Sequence, residues 1–77
     1  MNTLLSIRMD LPRGTASAFQ THLREQLRLG IQEHWYSDEF RLIADGLRTG
    51  AILAKYPALA AQKKTLGALQ AAMNEQA

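Results

Sequence analysis

The chain has no cysteine, only two prolines and one tryptophan, and no uninterrupted apolar run longer than the four residues of Ala58 to Ala61. Without cysteine, a disulfide scaffold and a zinc site built on thiolates are both excluded, which suits a reducing, cytoplasmic setting. The apolar runs fall far short of the roughly 20 residues that span a bilayer, so no membrane segment is expected. The stretch from Met1 to Pro12 carries Arg8 and Asp10 among its apolar residues and so lacks the continuous core of a signal peptide. The chain reads as complete and intracellular. Signatures of catalysis are missing as well: there is no phosphate-binding loop, dinucleotide fingerprint or serine elbow. The two histidines do not replace them. His22 and Glu25 share a helix face but make only two ligands, and His34 beside Glu33 has no nucleophile near it. No enzyme, cofactor or metal is expected.

With 77 residues, the chain lies near the lower limit for an independent hydrophobic core, burying only about 60% of its unfolded surface. With disulfides and metals excluded, oligomerisation is the remaining support, and a homodimer is the default expectation. The net charge is +2 with Lys+Arg at 9, but the charges are unevenly placed. Arg8, Arg13, Arg24 and Arg28 face only Asp10 and Glu25 in the first part of the chain. Glu33, Asp38, Glu39 and Asp45 then outweigh Arg41 and Arg48, and Lys55, Lys63 and Lys64 make the remainder basic again. Such a balance permits nucleic-acid binding without demanding it.

Along the chain, Leu5, Ile7 and Met9 alternate with Leu4, Ser6 and Arg8, the period of a half-buried strand over Thr3 to Met9 that ends before Pro12. A lone strand requires a partner, and the same strand of a second copy would supply it. Ala16, Phe19, Leu23 and Leu27 form a helical stripe from about Thr15, a candidate N-cap, to Leu29, with Gly30 as a stop. Ile31 to Tyr36 shows no clear period and reads as a connection, in which Trp35 and Tyr36 serve either as a binding anchor or as a cap on a thin core. Ser37 or Asp38 caps a second helix with Phe40, Ile43, Ala44 and Leu47 on one face, ended by Gly50. Pro57 opens a third that runs to about Asn74, with Leu59, Leu66, Leu69 and Met73 as a narrow docking seam.

Strand, helix, connection and helix in this order resemble the ribbon-helix-helix proteins, and the ParD-type antitoxins in particular. The resemblance is carried by Leu5-Ser6-Ile7-Arg8-Met9 followed by Pro12, by Tyr36-Ser37 and Gly46-Leu47-Arg48 around the second helix, and by the leucine and alanine pattern from Leu66 to Met73. It implies a mostly α fold with an N-terminal strand, a ribbon-helix-helix-like dimer. Residues 1–50 would form the dimerisation and DNA-binding domain, and 51–77 a C-terminal helical segment that binds a protein partner such as a toxin. On that reading the chain is an antitoxin-like transcriptional regulator. Ser6 and Arg8 read operator bases from the paired ribbon, since a two-stranded ribbon fits the major groove. Arg13 and Arg24 contact phosphates, and Leu59, Leu66, Leu69 and Met73 hold the partner. The alternative is a small helical adaptor or inhibitor, of the type encoded by plasmids or phages, that binds a host protein and not DNA. Asp38 and Glu39 favour it, because carboxylates at a helix start repel phosphate.

Overall fold

A computed structural model of the chain describes residues 3–75. Three helices follow one another: α1 (Arg13–Trp35), α2 (Asp45–Lys55) and α3 (Pro57–Glu75). The long helices α1 and α3 pack along each other, and α2 closes one end against both.

The strand expected over Thr3 to Met9 is not formed, and no strand exists among the described residues. A strand is held by a ladder, and everything after Pro12 that could supply one is helix or turn. The N-terminal segment instead runs as irregular, exposed chain to Pro12, whose carbonyl accepts the Ala16 amide and so starts α1. Helices with an irregular leader therefore replace the ribbon-helix-helix-like fold.

The helix boundaries also differ from expectation. Gly30 does not stop α1, and the supposed connection from Ile31 is its last part. The inward stripe of Ala16, Gln20, Leu23 and Leu27 continues through Gly30, Ile31 and His34, all at least half-buried. Glycine inside a helix costs about 1 kcal/mol relative to alanine. Here the missing side chain lets Leu59 of α3 sit directly against the α1 backbone, because a Cβ at this position would fall inside van der Waals contact of Leu59 Cδ2. We expect Gly30→Ala alone to gain none of its helix propensity, while the same change beside Leu59→Ala gains about 1 kcal/mol. Chemical denaturation of the four proteins of that cycle measures the coupling, and strictly additive effects would contradict the close approach.

The second helix begins at Asp45 and not at Ser37 or Asp38. Residues 36–44 are turns, and Gly46 and Gly50 both lie inside α2. Ser37 closes the end of α1, its hydroxyl and amide both donating to the His34 carbonyl at 3.0 and 3.2 Å. Phe40 and Ile52, 3% and 0% exposed, are the most buried side chains of the core, to which Ala16 and Leu23 add. Three rings tie this end together. His34 of α1 stacks on Tyr56, which joins α2 to α3, with centroids 4.1 Å apart, and Phe40 meets both rings edgewise or tilted. The third helix, from Pro57 onward, forms as the sequence predicts, but none of its residues is fully buried.

Candidate functional site

Two places gather side chains beyond what simple helix packing requires: a buried arginine at the α2 end, and an apolar groove along α1, α3 and the N-terminal segment.

Arg48 occupies the first. Its side chain is 10% exposed. Nε and Nη2 donate to the Ile43 carbonyl at 3.0 and 2.8 Å, Nη2 also reaches the Arg41 carbonyl at 2.9 Å, and Nη1 reaches the Trp35 carbonyl at 3.2 Å. The guanidinium lies 4.6 Å from the centroid of the Trp35 ring, and Asp45 sits 3.3 Å away on the solvent side. The last carbonyls of a helix have no partner within it, and a planar five-donor cation satisfies several at once. Its own chain holds the guanidinium through three carbonyls and one ring face, a clasp that fixes the turn from Tyr36 to Ala44.

The groove is the second place. Leu5, Ile7, Met9 and Leu11 line one wall, Phe19 of α1 and Ala61, Ala68, Leu69 and Ala72 of α3 the other, with Lys64 as the single charged side chain and Thr65 beside it. This open groove has a volume of about 550 Å³. A smaller hollow of about 170 Å³ continues from it around Met9, Asp10, Arg13, Ala16 and Met73. The alternation read from the sequence thus does bring Leu5, Ile7 and Met9 to one side, although without a strand. Leu5 remains 86% and Ile7 75% exposed. Among the described residues, 3–11 make no backbone or side-chain hydrogen bond. Apolar side chains and free backbone groups therefore stand together over an apolar trough.

The residues expected to touch DNA are all exposed. Ser6 and Arg8 lie on the irregular segment, with no ribbon to present them to a groove. Arg13 is the first residue of α1, and Arg24 lies roughly 16 Å further along it at about 1.5 Å of rise per residue. The expected partner seam is half-buried within the chain: Leu59 abuts Gly30, while Leu69 and Met73 line the hollow beside Ala16. Across the same seam Gln20 donates to Gln70, and the buried Gln62 side-chain carbonyl has no hydrogen-bond partner among the described residues. The sequence places Phe19 in the stripe of α1 but does not single out Ala61, Thr65, Ala68 and Ala72 as binding residues. The signal was present: 61, 65, 68 and 72 recur at helical spacing beside the leucine stripe, a face of small residues that another segment can approach.

Much of the charge is internally engaged. Arg28 pairs with Glu25 at 2.6 Å and holds its carboxyl below the usual carboxylate range, chiefly through their hydrogen bond. The Lys55 ammonium is raised by its hydrogen bond to Glu39, and Arg41 lies 3.3 Å from Asp38. Asp38 and Glu39, expected at a helix start, thus serve as local counter-ions in the turn. No group of three or more residues that could hold a metal occurs among the described residues. No helix there is long and apolar enough to cross a membrane. No family model, curated protein or solved structure matches the chain.

Proposed function

We propose that the chain is a small helical adaptor, a non-catalytic module that binds protein through the groove bounded by residues 3–11, α1 and α3. The observation that carries this reading is the row Leu5, Ile7 and Met9, held open to solvent above an apolar trough with one charged side chain on its rim. Apolar surface gathered in this way marks a protein contact, whereas single exposed leucines do not. Such a contact takes its energy from a few large apolar side chains that water leaves on binding. A nucleic acid would call for a line of unpaired cations beside the reading surface. The groove offers Lys64, and the phosphate-binding roles of Arg13 and Arg24 have no paired strand beside them to read bases.

Size-exclusion chromatography of an epitope-tagged chain in extracts of its own cells tests this reading. The chain is expected to migrate in a complex that survives nuclease. Ile7→Lys or Ala68→Lys should release it to its free size, because each places a charge in the trough. Arg24→Ala should leave the complex intact. A complex lost with nuclease or in Arg24→Ala, and kept in Ile7→Lys, would replace the adaptor by an operator-binding regulator.

A further inference from the structure

The areas show how much surface the chain leaves uncovered. A folded chain of this mass exposes about 4,700 Å² when it is complete as a monomer. This chain exposes 6220 Å², about 1,500 Å² more. Its radius of gyration is 14.6 Å, against about 11.5 Å for a compact domain of the same length. A standard protein interface covers about 800 Å² on each partner, and the interfaces of permanent homodimers about 1,000–2,500 Å². The surplus therefore matches one permanent interface per chain.

Exposed apolar side chains occur at Tyr36, Leu42 and Leu47, in the 36–44 turn and α2, and at the trough, where they gather along one segment. Leu5, Ile7 and Met9 of the N-terminal segment, and Ala61, Ala68, Leu69 and Ala72 of a helix α3 with no fully buried residue, border the same trough, while Leu4 is exposed away from it. The segment also carries one charge of each sign, Arg8 and Asp10, so two copies brought together about a two-fold axis meet without a wall of like charge. A second copy needs no surface other than the one already described.

We infer that the occupant of the groove is a second copy of this chain, related by a two-fold axis, with residues 3–11 of each copy against α1 and α3 of the other. This rests on the protein-binding reading and names its partner. The helical core of each copy forms without the contact, since Phe40, Ile52 and Arg48 are buried within one chain.

Light scattering of the purified full-length chain from about 1 μM to 1 mM tests the inference. The expected mass is twice 8.6 kDa, and Ile7→Lys should weaken association at least about a hundredfold while the helical circular dichroism is kept. A second measurement does not depend on that variant folding. Because the chain has no cysteine, a spin label on Ser6→Cys in one copy can be mixed with an isotopically labelled, unmodified second copy. Broadening of the Phe19, Ala68 and Ala72 amides of the second copy supports the arrangement. A wild-type chain that stays monomeric up to 1 mM overturns the inference, as does a dimer whose groove amides are unaffected by the label. A monomer that still enters a nuclease-resistant complex in extracts overturns the second copy as occupant while leaving the adaptor reading in place. A monomer that enters no complex overturns both.

Discussion

Replacing Arg48 by alanine is expected to lower the stability of the chain by about 2–4 kcal/mol, because it removes a buried side chain and the donors of part-buried bonds to the carbonyls of Trp35, Arg41 and Ile43. Each hydrogen bond to a charged donor contributes about 1.5–3 kcal/mol, and the stacking on Trp35 is lost with them. The conservative change Arg48→Lys should recover little. A single ammonium cannot fork across three carbonyls, and it does not lie flat on an indole. Urea denaturation followed by circular dichroism reads the effect, and a loss below about 0.5 kcal/mol would show that water satisfies the turn equally well.

Phe40→Ala should be costlier still, about 3–5 kcal/mol for a large buried aromatic. Phe40 is 3% exposed and meets both members of the His34–Tyr56 stack, so its removal opens a cavity where α1, α2 and α3 converge. A chain of this size has roughly 4–12 kcal/mol of stability in total. The variant is therefore expected to unfold more than about 12 °C below the wild type at about 4 °C or more per kcal/mol. A shift of less than about 5 °C would mean that the ring cluster is peripheral to the core.

The two variants also show where sequence reading succeeded and where it stopped. The inward face of α1 is legible as far as Leu27, and it continues legibly through Ile31 and His34 to anyone who does not let Gly30 end the helix. Gly30 misleads because its reason lies in another helix, in the approach of Leu59, and intrinsic propensity cannot foresee a tertiary contact. The sequence puts Phe40 on one face of a second helix with Leu47; Phe40 is buried, but in the turn before α2, and Leu47 is exposed. Ser37, Asp38 and Glu39 look like helix caps, yet they are used for the turn after α1 and for ion pairs with Arg41 and Lys55. Arg48, noted only as part of Gly46-Leu47-Arg48, gave no signal of its burial. A solvated arginine and one clasping three carbonyls are identical in sequence, and only the fold brings those carbonyls to it.

For the candidate site the outcome is mixed in a similar way. The alternation of Leu5, Ile7 and Met9 correctly predicts a shared apolar side, since that period depends on residue spacing alone. The inference from that period to a strand failed because a ladder needs a second strand, and the rest of the chain is committed to helices. The seam of Leu59, Leu66, Leu69 and Met73 was legible as a stripe. Its half-buried position beside α1 was not, because a stripe records that a face is covered and not by what. The neighbouring alanine face at 61, 68 and 72 is what remains open.

The central claim is that residues 3–11 and the trough beneath them exist to contact protein. Its most direct test is a photo-crosslinking amino acid placed at Ile7 in the full-length chain and irradiated in living cells, with the exposed position of Glu33 on α1 as control. The account predicts covalent protein adducts at position 7 and few or none at position 33. An absence of protein adducts at position 7, or equal labelling at both positions, would contradict it.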